Sequence, residues 1–360
     1  MKKTKFHSIH EKLGAKIVDF AGYMMPIQYS SSIAEHKVVR TTAGVFDVSH
    51  MGELFVRGNN ALDFVNHITI NDASLLSNGR VQYSAMCYED GGIVDDLLVY
   101  KINENEFMLV VNASNLEKDF AWLNKNNSFG VELVNESDDY SLLAVQGTNS
   151  KEILQKICDK QLDLEYYHFF TAKVAGVDTI LSRTGYTGEL GYELYFKGSE
   201  TVAENIWNAI FDAGKDFGIQ PVGLAARDSL RLEMGFCLYG NDIDQTTNPI
   251  EAGLGWITKL KKPSFIGKDF LAAVKENGPT KKLAAMISNE KTFPRQGYNL
   301  TIDGRKAGYI TSGTVSPMLD KAIALGYVDT EFAKEGNKIN FLIRGKEVEA
   351  QITKLPFVKK

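Results

Sequence analysis

A predicted β-hairpin around Asp90-Gly91-Gly92 constrains the fold of this chain more than any other stretch. Two apolar runs rich in β-forming residues flank these three residues, VQYSAMCY before them and IVDDLLVYKI after them. An Asp-Gly pair between such runs is a strong hairpin signal, because the turn requires a residue with positive φ, which glycine adopts readily. We therefore expect the segment 81–102 to form two antiparallel strands.

The returning strand of this hairpin carries two adjacent acids, Asp95 and Asp96. Side chains alternate along a strand, so Asp96 shares one face with Leu98 and Tyr100, and Asp95 lies on the other. Moving a carboxylate from water into an apolar interior is costly unless it finds a partner or its pKa shifts. We expect at least one acid to leave bulk water, although two acids on an exposed edge fit the hairpin equally well. Alternation alone does not choose between them.

Length and composition indicate a globular protein of two or three domains: 360 residues, 44% hydrophobic and 24% charged. The net charge of −5 argues against nucleic acid as a partner. No stretch approaches the roughly 18 apolar residues of a membrane span, and the N-terminal segment lacks the apolar region of a secretory signal. The cysteines at 87, 158 and 237 are far apart, which is typical of a reducing compartment. We therefore expect a cytoplasmic protein or one of a mitochondrial matrix.

Several common chemistries lack their sequence motifs. The chain has no nucleotide-binding P-loop, no HExxH metal motif and no GxSxG nucleophile elbow, so we expect no metal site and no serine nucleophile. A short basic cluster at Lys259, Lys261 and Lys262 could dock an acidic partner, although such clusters are more often solvated surface.

Local patterns predict alternating strands and helices over most of the chain. The run 46–58 alternates as one strand, and Ser114 with Glu117 forms a capping-box pattern that opens a helix. Residues 51–137 are predicted to be a compact α+β unit around the hairpin. After the linker signal Asn-Gly-Pro at 277–279, short glycine-punctuated strands predict a small all-β domain.

A second dense stretch, SRTGYTGELGYE at 182–193, contains three glycines among two tyrosines and ends on Glu193. A long hairpin loop would explain it, yet glycines around aromatic residues also allow a backbone to approach a flat ligand closely. Arg227 lies on the predicted helix that follows. Aromatic walls, acids and one arginine suit a planar heterocycle with an amine-amide edge and an anionic tail; the residues concerned are Tyr83, Tyr100, Asp96, Glu193 and Arg227.

The longest motifs together resemble the T-protein family of the glycine cleavage system. They are FDVSHMGE, GGIVDDLLVY, VVNASN, SRTGYTGELGYE, GLAARDSLRLEMG, LYGNDID with TNP, and TSGTVSP, and they cover nearly the whole chain in the family's order. The resemblance implies an α+β, three-domain cloverleaf around a central folate site. Its domains would be a discontinuous first domain (1–50 and 138–276), an inserted α+β domain (51–137) and a C-terminal β-barrel-like domain (277–360).

The resemblance also implies an activity and a set of site residues. The family transfers the aminomethyl carbon from the lipoyl arm of the H-protein carrier to tetrahydrofolate, giving 5,10-methylenetetrahydrofolate, ammonia and the dihydrolipoyl arm. By motif, the essential aspartate is Asp96, the glutamate that holds the pterin is Glu193, and the binding arginine is Arg227. The partner of that arginine stays open: the pterin carbonyl, the glutamate tail or Glu193. The resemblance adds further pocket residues: Tyr83, Tyr100, Asn112, Tyr186, Met51 and Trp256.

Two alternatives within the same superfamily remain. One is another folate-dependent enzyme, such as a demethylase of a small methylated substrate. The other is a non-catalytic folate-binding protein that aids iron–sulfur assembly, although such proteins carry a cysteine where this chain has TGYTGELGYE. Family members often extend past the last strand with a tyrosine or arginine near the folate. This sequence ends in PFVKK, so Lys359 or Lys360 could replace that contact only in part.

Overall fold

The computed structural model describes residues 1–359 and shows a mixed α+β protein, as predicted. Lys360 lies outside the described residues. The helices are α1 (His7–Lys12), α2 (Ser32–Thr41), α3 (Ala61–Ile68), α4 (Leu116–Lys125), α5 (Ser150–Gln155), α6 (Glu200–Gly214), α7 (Leu224–Met234) and α8 (Lys268–Asn277). The strands are β1 (Lys2–Lys3), β2 (Lys16–Phe20), β3 (Tyr23–Gln28), β4 (Gly44–Asp47), β5 (Gly52–Arg57), β6 (Arg80–Cys87), β7 (Ile93–Asn103), β8 (Glu106–Val111), β9 (Glu132–Asn135), β10 (Tyr140–Gln146), β11 (Phe169–Val174), β12 (Val177–Ser182), β13 (Gly191–Lys197), β14 (Gln220–Pro221), β15 (Lys281–Ser288), β16 (Asn299–Ile302), β17 (Arg305–Val315), β18 (Ala322–Asp329), β19 (Lys338–Ile343) and β20 (Lys346–Thr353).

The chain divides into two compact units that are each built from separate segments. The first contains Met1–Val65, Ala73–Tyr83 and Leu97–Asp228. The second contains Asn66–Asp72, Ser84–Asp96 and the chain from Ser229 onward. The division into three domains at 1–50 with 138–276, 51–137 and 277–360 stays a prediction.

The first unit contains a six-stranded sheet in the order β11-β12-β13-β10-β4-β14. Strand β13 shows how the sequence assigns the two faces of this sheet. Leu194 and Phe196 point into a core that also contains Trp207 of α6. Alternation then turns Glu193 and Tyr195 to the opposite face, where β10 pairs them with Ala144 and Leu142. One face of the sheet therefore forms the core, and the other presents polar groups.

The predicted hairpin is confirmed: β6 and β7 are neighbours in a five-stranded sheet of order β6-β7-β8-β5-β9. Its turn closes through the amide of Tyr88, which donates to the carbonyl oxygen of Gly92 at 2.8 Å. Gly91 supplies the positive φ, at 80°. Gly92 is required for a different reason, since a Cβ there would lie 2.2 Å from the carbonyl oxygen of Gln245.

The second unit contains the predicted all-β domain, which is a closed barrel of six strands in the order β15-β18-β17-β16-β19-β20. Its interior is filled by apolar side chains that alternate inward, among them Met286, Ile310 and Phe341. Closing the sheet leaves no free edge strand. The C-terminal β-barrel prediction is confirmed.

Two local predictions were wrong. The run 46–58 is two strands, β4 and β5, because the Asp47 side chain accepts the amide of Ser49 at 3.0 Å and the Met51 amide bonds to the Val48 carbonyl. The capping box at Ser114 does not form. A 3-10 turn at Ala113–Asn115 precedes α4, and the N-cap position makes no side-chain cap hydrogen bond.

The basic cluster at 259–262 is only partly surface. Lys262 is 5% exposed, and its ammonium group donates to the carbonyl oxygens of Asn66, Thr69 and Asn71 at 2.6–2.7 Å. Burial lowers the pKa of Lys262 to about 8, so the amine is still charged at neutral pH. Lys262 therefore stabilises the end of α3 and the loop after it through these hydrogen bonds, and it is not part of a solvated face.

Candidate folate site

Glu193 is the central acid of the first unit. It lies on β13, directly after the glycine-rich loop, and is 7% exposed. The hydroxyl of Thr184 donates to Oε2 of Glu193 at 2.5 Å, and the hydroxyl of Tyr195 donates to the same oxygen at 3.3 Å. The strand fixes the direction of this side chain, and the two hydroxyls fix its rotamer.

Burial raises the pKa of Glu193, and three neighbours oppose that rise. The hydrogen bond from Thr184, the positive charge of Arg227 and the hydrogen bond from Tyr195 all favour the carboxylate. The net pKa is still above the ordinary value of a glutamate. A ligand that offers N–H donors to this carboxylate would further favour its charged form.

An aromatic wall stands beside Glu193. Tyr100 is fully buried on β7, and its hydroxyl lies 3.0 Å from that of Tyr195 and 3.2 Å from the hydroxyl of Thr184. The two tyrosine rings meet edge to face with centroids 5.6 Å apart. Burial raises the pKa of Tyr100, so its phenol stays protonated and can donate a hydrogen bond.

Arg227 brings positive charge to this set. Its guanidinium carbon lies 4.8 Å from the centroid of the Tyr186 ring, which is a cation–π arrangement. His50 is buried nearby, and its pKa is lowered to about 4, first by burial and then by the charge of Arg227, while Asp47 acts in the opposite direction. Arg227 is therefore the cation of this group at neutral pH, and His50 is neutral.

The remaining predicted residues of the first unit, Met51, Tyr83 and Asn112, are half-buried. Met51 immediately precedes β5, Tyr83 lies within β6, and Asn112 follows the last residue of β8. Their contact with a ligand stays a prediction.

The second unit contains Asp96 and Trp256. Asp96 is half-buried on β7, whereas its neighbour Asp95 is fully buried. After burial and Asp242, the negative charge of Asp96 is a further cause that raises the pKa of Cys237. Trp256 is 65% exposed. The choice of Asp96 over Asp95, and a ligand contact for Trp256, stay predictions.

Sequence reasoning did not single out four polar residues of the first unit: Thr184, Tyr195, His50 and Glu53. All four lie in or beside the motifs already quoted, two in FDVSHMGE and two at or just beyond SRTGYTGELGYE. For Tyr195 the signal that could have found it was its position, because it lies two residues after Glu193 and therefore on the same face of the strand.

Within residues 1–359, no helix is long and apolar enough to cross a membrane. The same residues contain no group of three histidine, cysteine or acidic side chains that could hold a metal ion.

Comparison with known proteins identifies the class of this fold. Residues 6–262 match the GCVT N-terminal domain, and residues 281–359 match the glycine cleavage T-protein C-terminal barrel domain. The chain is thus a two-module protein of GCVT type. It belongs to the aminomethyltransferase family, the T-proteins of the glycine cleavage system, and is an enzyme of the transferase class.

Individual relatives cover the chain from end to end. The aminomethyltransferase of Flavobacterium psychrophilum is 53% identical over 363 residues, covering all of both chains. That of Halothermothrix orenii is 49% identical over 359 residues, covering 99% of this chain and all of the relative. The crystal structure of aminomethyltransferase T of the glycine cleavage system from Bartonella henselae is 35% identical and superposes with a TM-score of 0.93, covering 99% of this chain and 98% of that one.

Proposed function

We propose that this enzyme catalyses the tetrahydrofolate-dependent transfer of the aminomethyl carbon from the lipoyl arm of the H-protein. The products would be 5,10-methylenetetrahydrofolate, ammonia and the dihydrolipoyl carrier. Tetrahydrofolate supplies the nitrogen nucleophiles that accept the carbon. We also propose a cytoplasmic location and the three-domain cloverleaf arrangement implied by the family.

The observation that carries the proposal is the Glu193 carboxyl group, buried and held by two hydroxyls in a chain that matches aminomethyltransferases over its full length. A pterin presents an amine and a ring N–H side by side. A carboxylate can accept both in one bidentate, charge-assisted pair. Tyr100 and Tyr186 supply aromatic surface, and Arg227 supplies a positive charge for a carbonyl or a carboxylate of the ligand. The residues present fit a reduced folate.

Asp96 is proposed to act by charge. Loss of the thiolate from an aminomethyl thioether leaves a cationic fragment, and a fixed carboxylate stabilises such a cation. Two unit charges about 4 Å apart interact by roughly 4 kcal/mol at an effective dielectric of 20. If realised only in the transition state, that is close to a thousandfold in rate. Asp96 would therefore matter without accepting a proton.

The direct test is ammonia release. The protein is incubated with tetrahydrofolate and an aminomethyl-loaded lipoyl H-protein, and ammonia is measured over time. We expect release that requires both partners. Free aminomethyl-lipoamide in place of the carrier would show how much the H-protein contributes. Absence of ammonia with an intact carrier would contradict the proposal.

Two substitutions separate chemistry from binding. Asp96→Asn should lower turnover by about a thousandfold while leaving the affinity for tetrahydrofolate within a few-fold. Asp95→Asn makes the same chemical change on the adjacent residue of the same strand and is the matched control for Asp96→Asn. An active Asp96→Asn enzyme would contradict the electrostatic role. Glu193→Ala should instead weaken folate binding by tenfold or more, because charge-assisted hydrogen bonds contribute roughly 1.5–3 kcal/mol each.

A further inference from the structure

Glu53 is a buried acid of β5 whose side chain has no hydrogen-bonding partner among the described residues. It is 1% exposed, and within residues 1–359 neither carboxyl oxygen has a hydrogen-bond partner or an ion pair. Its backbone is fully used, since its amide bonds to Ser137 and its carbonyl accepts the amide of Glu136. A buried polar group in this condition costs stability, so its presence requires an explanation.

The strand register shows which way Glu53 points. On β5, Glu53 is paired with Val110 of β8, which is paired in turn with Leu98 of β7. The next row on the same face is Phe55, Met108 and Tyr100, since residues two apart share a face. The side chain of Glu53 is therefore on the face of this sheet that presents Tyr100.

This face meets the polar face of the six-stranded sheet within the first unit. The hydroxyl of Tyr100 contacts that of Tyr195, and the ring of Phe55 stacks on Tyr140 with centroids 6.0 Å apart. Glu193 lies on the same face as Tyr195, two residues earlier. Its charge, after burial, is the second cause that raises the pKa of Glu53 well above the ordinary value. The two buried acids thus belong to one polar layer.

We propose that Glu53 is a second folate-binding residue, which donates a hydrogen bond from its uncharged carboxyl group to an acceptor of the bound pterin. This inference rests on the proposed function. A pterin edge carries acceptors as well as donors, so one carboxylate and one carboxylic acid complement it better than two carboxylates would. A carboxylic acid kept neutral by an apolar site is a known way to supply such a donor. The carboxyl oxygens of Glu53 would then form hydrogen bonds only when the ligand is bound.

The test measures the affinity for tetrahydrofolate and the thermal midpoint of the full-length protein. Glu53→Leu should bind tetrahydrofolate about tenfold more weakly with no lower midpoint. Glu53→Gln retains a donor of the same shape and should bind within about threefold of the unsubstituted protein. If the leucine variant fails to fold, Glu53→Ala is measured in its place.

A matched control is Ser141, another buried polar side chain whose hydroxyl has no partner within residues 1–359. It faces the apolar core with Leu143 and Val145, away from Glu193. Ser141→Ala should leave folate affinity unchanged.

The outcomes separate this inference from the proposed function. Unchanged affinity in Glu53→Leu, or an equal loss in Glu53→Gln, would overturn the role of Glu53. If Glu193→Ala still loses affinity in that case, the proposed pterin site stands. If the unsubstituted protein does not bind tetrahydrofolate, both proposals fail.

Discussion

The buried neutral histidine beside the site should make folding stability depend on pH. The pKa of His50 is lowered from 6.5 to about 4. Between these two pH values the unfolded chain binds a proton at His50 that the folded chain does not bind. The contribution of His50 to the unfolding free energy is therefore fully present above the unfolded pKa and is lost as the pH falls toward the folded pKa. Lowering the pKa from 6.5 to about 4 corresponds to a loss of folding stability of at most about 3 kcal/mol at low pH.

The size of the effect at each pH follows from the two pKa values. At about pH 7 the contribution is negligible, at about pH 5 the folded state loses about 2 kcal/mol, and at about pH 4 it loses about 3 kcal/mol. His50→Phe removes the titrating group and keeps an aromatic ring against Phe20, whose ring centroid lies 5.3 Å from that of His50.

The assay is urea unfolding followed by tryptophan fluorescence at pH 8 and pH 5. Other groups also titrate in this range, so the quantity to compare is the difference in unfolding free energy between the unsubstituted protein and His50→Phe. We expect this difference to shift in favour of the variant by about 2 kcal/mol on going from pH 8 to pH 5. A difference that is the same at both pH values would refute the reasoning.

Two further predictions concern buried charges of the second unit. Arg231 and Asp242 form an ion pair of 2.7 Å with both side chains almost fully buried, so Arg231→Met should destabilise by about 3–5 kcal/mol in urea unfolding. The double variant Arg231→Met with Asp242→Leu should lose less unfolding free energy than Arg231→Met alone. A larger loss in the double variant would contradict the ion-pair explanation. Lys262→Met leaves three carbonyl oxygens without their donor and should lower the unfolding free energy by at least about 2 kcal/mol. The matched change Lys261→Met, on an exposed lysine, should have little effect.

The local part of the fold was predictable because its causes are local. The hairpin turn needs Gly91, whose φ is 80°, and the Asp-Gly signal around it is contained in a few consecutive residues. The predicted strand 46–58 failed for a local reason too: Asp47 turns the chain through a side-chain hydrogen bond, which apolar alternation does not reveal.

The site was predictable only in part. Glu193 and Arg227 come from long motifs, but the environment of each depends on pairings distant in sequence. Thr184 reaches Glu193 across a loop, and Glu53 meets the same layer only because β5 pairs with β8 in one register. A shift of one residue would turn Glu53 to the other face. No local pattern fixes that register, so the burial of this acid is a property of the assembled sheets.

The buried acids of the two units differ in a way that separates stability from function. Asp242 accepts hydrogen bonds from Arg231, Thr311, Ser312 and the amide of Leu238, so its negative charge is compensated inside the protein. Glu53 has no such partners among the described residues. Removing one partner of a compensated buried charge destabilises, whereas replacing a buried carboxyl group that has no hydrogen-bond partner by an apolar side chain of similar size is neutral or stabilising. Arg231→Met should therefore lower the thermal midpoint, while Glu53→Leu should keep or raise it and still weaken folate binding. Such opposite signs are expected where a site sacrifices stability for its ligand.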